Sequence, residues 1–186
     1  KHCHNFRPTL AINIYRFFKA QSVFDFSAGW GDRLFGACVD DIKYVGLDPN
    51  INNTFYSDII DQIGNINKQT IIATGAEYLP LNIFEKTMKG MDIDSFDLMF
   101  TSPPYFTYEI YAANTQSITS YINSFENWLV NFLFYVMIKY SVYLKENGYF
   151  VLYIQDVGGH SYLEPMFMAV MSKYETFNGL KFVGFI

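Results

Sequence analysis

The sequence is short of cysteine, histidine and charge, and each shortage removes a class of function. Its two cysteines, Cys3 and Cys38, make no disulfide framework. That points to a reducing, intracellular compartment: the cytoplasm, or the nucleus or cytoplasm of a host cell if the chain is viral. The three histidines are His2, His4 and His160. The cluster His2-Cys3-His4 packs two ligand types into consecutive positions and lacks the separated pairs of a zinc site, so no metal is expected. No serine or cysteine stands in a recognisable nucleophile elbow, which leaves hydrolytic triads without support. Charged residues are only 17% of the chain and sum to a formal net charge of −5, so the chain as a whole offers phosphates little attraction. No basic segment followed by an apolar core and a small-residue cleavage site opens it.

A long uninterrupted apolar run is also missing. The nearest thing to one, Trp128 to Leu144, contains Asn131, Lys139 and Ser141 and is bounded by Glu126 and Lys145. It falls short of the roughly 20 residues a membrane span requires. A helix apolar on nearly every face is instead expected to lie buried against a sheet, with no membrane partner. If its outer face is open, a missing segment, a partner subunit or a dimer contact through 124–144 is expected to cover it.

What is present is 51% hydrophobic and 19% aromatic residues in a chain of 186, enough for one domain with a sizeable core. Pro8 opens a helix reaching about Ala20. Predicted strands at Ser22–Phe26, Lys43–Leu47, Thr70–Thr74 and Phe96–Thr101 alternate with helices near Gly31–Asp40 and Asn53–Ile66. A long helix over Ser124–Leu144 follows, and Asn147-Gly148 turns the chain into a strand at Tyr149–Gln155. After Gly158-Gly159, a helix near Tyr162–Tyr174 and a last strand at Leu180–Ile186 complete the pattern. This is an α/β chain with a mostly parallel sheet covered by helices on both faces. One domain over 1–186 is expected, with an N-terminal helix (1–20), a ligand-binding half (21–100) and a second half (101–186).

Two loops carry the chemistry. Ser27-Ala28-Gly29-Trp30-Gly31 lies between a strand and a helix, where glycines let a ligand approach backbone amides. Leu34 stands where a dinucleotide fingerprint has its third glycine, so a dinucleotide is the poorer reading. Asp48 closes the second strand, the position from which a carboxylate accepts hydrogen bonds from ribose hydroxyls. Read singly, the glycines also suit an ordinary turn and Asp48 a cap ahead of Pro49.

The second loop is Ser102-Pro103-Pro104-Tyr105, directly after the apolar strand ending at Thr101. Adjacent prolines cannot donate backbone hydrogen bonds and hold φ fixed, so the loop is stiff and presents free carbonyls. An exocyclic amine needs such acceptors, because its lone pair is delocalised into the ring until both hydrogens are held. Beyond it, Tyr105-Phe106-Thr107-Tyr108-Glu109-Ile110-Tyr111 supplies an aromatic wall or core packing. Asp156, ending the predicted fifth strand, suits a loop cap better than the pocket.

Asp25-Phe26-Ser27-Ala28-Gly29-Trp30-Gly31 together with Thr101-Ser102-Pro103-Pro104-Tyr105 resembles the two defining motifs of S-adenosylmethionine-dependent DNA amino-methyltransferases, the adenine-N6 and cytosine-N4 class. The resemblance implies a Rossmann-like class I methyltransferase sheet, truncated before its seventh strand. It implies cofactor contacts from Arg7, Pro8, Asp25, Ser27, Ala28, Gly29, Trp30, Gly31, Asp48, Pro49, Ala76 and Glu77. It assigns Ser102 and the Pro103 carbonyl to the amine, places Pro104 in the same motif, and has Tyr105 stack on a base flipped from the duplex. Trp30 departs from the small residue usual between the two glycines.

DNA is the partner implied, yet the chain is acidic. Lys1, Arg7, Arg16 and Lys19 form its one basic segment, before the first acid at Asp25. Tyr111–Asn123 is too short for a target-recognition domain, so recognition residues are expected beyond Ile186 or in a partner. Two other readings stand: a noncatalytic cofactor-binding subunit of a heteromeric methyltransferase, and an amino or amide methyltransferase acting on RNA or protein glutamine.

Overall fold

The computed structural model describes residues 6–50, 54–106, 124–156, 159, 161–172 and 177–186. His2-Cys3-His4, Lys1, His160, Gly158, the wall from Thr107 to Tyr111, the segment up to Asn123 and the expected end of the last helix at Tyr174 lie outside them. The chain forms two compact units, Lys1–Ser102 with Tyr143–Val151, and Pro103–Val142 with Leu152–Ile186.

The first unit is a five-stranded sheet in the order β3-β2-β1-β4-β5. Its strands are β1 (Ser22–Asp25), β2 (Lys43–Asp48), β3 (Gln69–Ala73), β4 (Phe96–Thr101) and β5 (Leu144–Leu152). β1 pairs in parallel with β2 on one side, Phe24 opposite Val45, and with β4 on the other, Phe24 opposite Met99. β2 pairs in parallel with β3. Among the described residues this unit carries four helices: α1 (Pro8–Phe17), α2 (Asp32–Val39), α3 (Phe55–Ile63) and α4 (Leu81–Gly90).

The strands read as continuous apolar runs because both faces are covered. Val23, Tyr44, Leu98 and Phe100 join Ala11 and Tyr15 of α1 and Leu34, Ala37 and Cys38 of α2 in one buried cluster. Gly36 lets these helices touch: a Cβ there would lie 2.9 Å from the Ala11 Cβ. Phe24 turns to the other face, its ring 4.9 Å from Phe84 of α4 and 5.6 Å from Phe96. No element was expected over α4, although Phe84 and Met88 sit one helical turn apart behind Pro80 and both are buried.

Two expectations fail at the end of the sheet. β5 begins at Leu144, so Asn147-Gly148 lies inside the strand, with Asn147 at φ 62° as a left-handed residue within it. Pairing with β4 outweighs that local turn signal: the Phe96 amide donates to the Tyr143 carbonyl at 2.8 Å, and Lys145 Nζ meets Asp97 Oδ1 at 2.6 Å. Residues 180–186 form no strand, and Val183, Phe185 and Ile186 are exposed. Alternation alone does not make a strand where no neighbouring backbone completes the ladder.

In the second unit the long helix has an unexpected middle. α5 (Phe125–Asn127) leads into a π-helical segment (Trp128–Phe134) and then α6 (Tyr135–Ser141). Ser124 caps its start, Oγ accepting the Asn127 amide at 3.1 Å. Trp128, Leu133, Val136 and Tyr140 are wholly buried. Asn178 holds the far end, donating to the Ile138 carbonyl and to Ser141 Oγ. Asp156 Oδ1 accepts the amides of Tyr162 and Leu163 and so caps α7 (Leu163–Ser172). Among the described residues no helix is long and apolar enough to cross a membrane.

Candidate functional site at the carboxyl edge of the sheet

In a parallel sheet the carboxyl ends of all strands share one edge, where open α/β sheets bind ligands. Across β3, β2, β1 and β4 that edge of the first unit carries in turn the 74–79 loop, Asp48, the glycine bend and Ser102. β1 and β4 are neighbours, so the glycine bend and Ser102 rise from adjacent strands.

The bend rests on a buried ion pair. Asp25 is 0% exposed, and its Oδ2 accepts Arg33 Nε at 2.7 Å and the Tyr44 hydroxyl at 2.6 Å. Its Oδ1 accepts the Ser27 amide at 3.1 Å, and Arg33 also donates to the Ser27 carbonyl. Tyr15 donates to the Arg33 carbonyl at 3.0 Å, and the Phe6 ring lies 5.0 Å from the guanidinium. Burial by itself depresses the Arg33 pKa, but the Asp25 carboxylate outweighs it and holds the guanidinium above its ordinary value. Burial, reinforced by Asp25, pushes the Tyr15 and Tyr44 phenols well up. Asp25 therefore sits beneath the bend as its support and not on its open side.

Above it, Ala28 is buried and its amide donates to the Leu47 carbonyl at 2.8 Å. Gly29 and Gly31 have φ of 61° and 87°, which glycine adopts without strain. The Gly29 amide donates to Asp48 Oδ2 at 2.9 Å, while Tyr56 donates to the Gly29 carbonyl. Trp30 is 49% exposed at the tip, and its amide takes no acceptor among the described residues. Asp48 Oδ1 accepts the Asn50 amide at 2.8 Å, and Pro49 between them is exposed. Burial raises the Asp48 pKa against the pull of those amides.

Ala76 is buried and Glu77 half-buried in the turn after β3, where the Gly75 carbonyl accepts the Tyr78 and Leu79 amides. Arg7 is exposed and Pro8 half-buried at the start of α1. Of the basic residues in that segment, Arg16 is tied bidentately to Asp40 at 2.9 and 2.7 Å.

Ser102 is half-buried at the end of β4. In the second unit Pro103 is buried and Pro104 half-buried. Among the described residues neither Ser102 Oγ nor the Pro103 carbonyl takes a hydrogen bond, whereas the Pro104 carbonyl accepts Trp128 Nε1 at 3.0 Å. Tyr105 is only 8% exposed; its hydroxyl accepts the Gln155 amide at 3.0 Å, and its ring meets Tyr162 edge-on at 5.3 Å. Packed this way, Tyr105 anchors the loop and presents no open face for a base.

Arg33, Tyr44, Tyr56 and Trp128 escaped the sequence reading. Only Arg33 left a signal, a cation in the first turn of a helix whose preceding strand ends in an acid. A cavity of about 290 Å³ opens at the opposite edge, lined by residues at the amino ends of the strands such as Ser22, Lys43, Lys68 and Lys145. It is remote from every predicted site residue. No protein-family model matches the sequence, and no curated protein matches it.

The donor set at the carboxyl edge disfavours a pyrophosphate. Asp32 puts a carboxylate in the first turn of α2, where a phosphate would otherwise settle. Each Asp48 oxygen accepts one backbone amide, and the Tyr56 hydroxyl also bonds the carboxylate. The glycine bend, the open Trp30 amide and these two carboxylates are the groups this edge offers to a ligand.

Proposed function

We propose that the chain is an S-adenosylmethionine-dependent amino-methyltransferase acting on an exocyclic amino group of a DNA base, adenine N6 or cytosine N4. The observation that carries this reading is the adjacency of β1 and β4, which sets the glycine bend and Ser102 side by side on one sheet edge. Asp48, Ser27, Gly29, Trp30 and Gly31 hold the cofactor, with Ala76, Glu77, Arg7 and Pro8 around them. When bound, the cofactor supplies an electrophilic methyl group on a sulfonium. Ser102 Oγ and the Pro103 carbonyl each accept one hydrogen of the target amine, which localises the nitrogen lone pair without a formal base. Both acceptors are uncharged, so the amine is held without being deprotonated in advance; as the N–C bond forms the methyl–sulfonium bond would break to leave a neutral thioether, and the methylated nitrogen would then lose one proton to solvent.

The test is transfer of labelled methyl to DNA, RNA and protein, followed by nucleoside and residue analysis, beside calorimetry with S-adenosylmethionine. Methylated adenine or cytosine in DNA supports the reading, and label on RNA or glutamine redirects it to another substrate. Cofactor binding without transfer points to a noncatalytic subunit, and no binding overturns the reading. Ser102→Ala is expected to slow transfer about 10²-fold, the scale of removing one preorganised hydrogen-bonding group, with cofactor affinity unchanged. Loss of affinity at unchanged turnover would contradict the role given to Ser102.

A further inference from the structure

The Pro-Pro segment carries two adjacent carbonyls, and the proposed chemistry uses only one. Both are proline residues, so neither has an amide that could tie the loop to its surroundings. Proline fixes φ but not ψ, so the direction of each carbonyl is set by groups that donate to it. We infer that Trp128 is the positioning residue that selects between them: its indole N–H captures the Pro104 carbonyl and leaves the Pro103 carbonyl as the acceptor without a bond among the described residues. This rests on the amino-methyltransferase reading for its consequence in turnover, but not for its geometry.

Three observations within the second unit support it. Trp128 is 0% exposed, so its N–H must find a protein acceptor, and it finds Pro104 at 3.0 Å. The ring cannot swing away: Phe125 stacks on it at 5.8 Å and 13°, and Tyr162 meets it edge-on at 5.3 Å and 89°. Trp128 is also the first residue of the π-helical segment, a rare widening that re-aims side chains relative to an α-helix and recurs at functional sites. The next residue is fixed independently, since the Tyr105 hydroxyl accepts the Gln155 amide. Pro104 and Tyr105 are thus pinned in succession, while the Pro103 carbonyl takes no partner among the described residues. An untied Pro104 lets the loop rotate and offer the wrong carbonyl, and a misplacement of about 1 Å at a reacting group costs on the order of 10²-fold in rate.

The experiment compares Trp128→Phe, which keeps an aromatic ring but deletes the donor, with Phe125→Leu, which weakens the packing but keeps the donor. Three quantities are read: single-turnover methyl transfer at saturating S-adenosylmethionine, cofactor affinity by calorimetry, and amide hydrogen exchange of the 101–106 peptide. Trp128→Phe is expected to slow transfer roughly 10- to 100-fold, leave affinity within about twofold, and speed exchange in that peptide. Phe125→Leu lowers thermal stability without this split between rate and affinity. Unchanged exchange in Trp128→Phe, or equal loss of rate in both variants, overturns the inference. If the wild-type protein transfers no methyl group, the functional reading fails and the exchange result alone decides the positioning role. Should Trp128→Phe not fold, the wild-type indole N–H signals decide. The two tryptophans give two resonances; that of buried Trp128 must be protected from solvent exchange, and rapid exchange of both sinks the assignment.

Discussion

Replacing Asp25 by Asn tests the buried support of the glycine bend with almost no change of shape. The carboxylate receives Arg33 Nε at 2.7 Å, the Tyr44 hydroxyl at 2.6 Å and the Ser27 amide at 3.1 Å, in a site where both Asp25 and Arg33 are buried. An amide at this position turns an NH2 group toward one of those donors and leaves the guanidinium without a counter-charge. Breaking one side of a buried pair costs about 3–5 kcal/mol, more than either charge contributes when both are removed together. With a urea dependence of about 2 kcal/mol/M, the unfolding midpoint of Asp25→Asn is expected to fall by roughly 1.5–2.5 M. The double variant Asp25→Leu/Arg33→Met should lose at least about 2 kcal/mol less than the sum of the single changes, because neither then strands a charge. It will not equal the wild type, since Tyr44, the Ser27 amide and the Ser27 carbonyl lose their partners. A cost under about 1 kcal/mol for Asp25→Asn, or additive single effects, would refute the argument that this pair supports the bend.

Gly31→Ala forces a side chain into φ 87°, at a cost of about 1–2 kcal/mol for the left-handed conformation. The new Cβ would lie 3.0 Å from Ile59 Cδ1, a flexible end that yields, so backbone strain dominates. Urea unfolding and a cofactor titration should both register the loss, and an undiminished affinity would separate the bend from cofactor binding. Asp97 contributes to the acid limb of stability. Partial burial raises its pKa, but Lys145 and the Gln21 and Ser22 amides outweigh that and hold it below the usual carboxylate range. A depressed pKa contributes stability above the unfolded value of about 3.9 and loses it as pH falls through the folded value. The gap in thermal midpoint between wild type and Asp97→Asn should therefore be constant above about pH 5 and close below about pH 4. A gap that widens as pH falls below about 4 would contradict it.

The sequence alone placed the first four strands and the glycine bend within a residue or two, because local rules mark them. Continuous apolar runs mean a strand covered on both faces, and glycine or proline ends each element. Asp48 and Ser102 were legible for the same reason, as polar side chains where their apolar strands end. α4 was missed although Phe84 and Met88 stand a turn apart, and the strand expected at 180–186 did not form, since a strand needs a neighbour that alternation cannot supply. Only the tertiary structure put β4 beside β1, folded Arg33 back under the bend onto Asp25, gave the Pro104 carbonyl to Trp128 and drew Tyr105 inward to the Gln155 amide. In that order they depend on partners 75, 8, 24 and 50 residues apart in the chain. Their pairing is decided by which buried polar groups can satisfy one another once the core has closed, and no local pattern of residues records that choice.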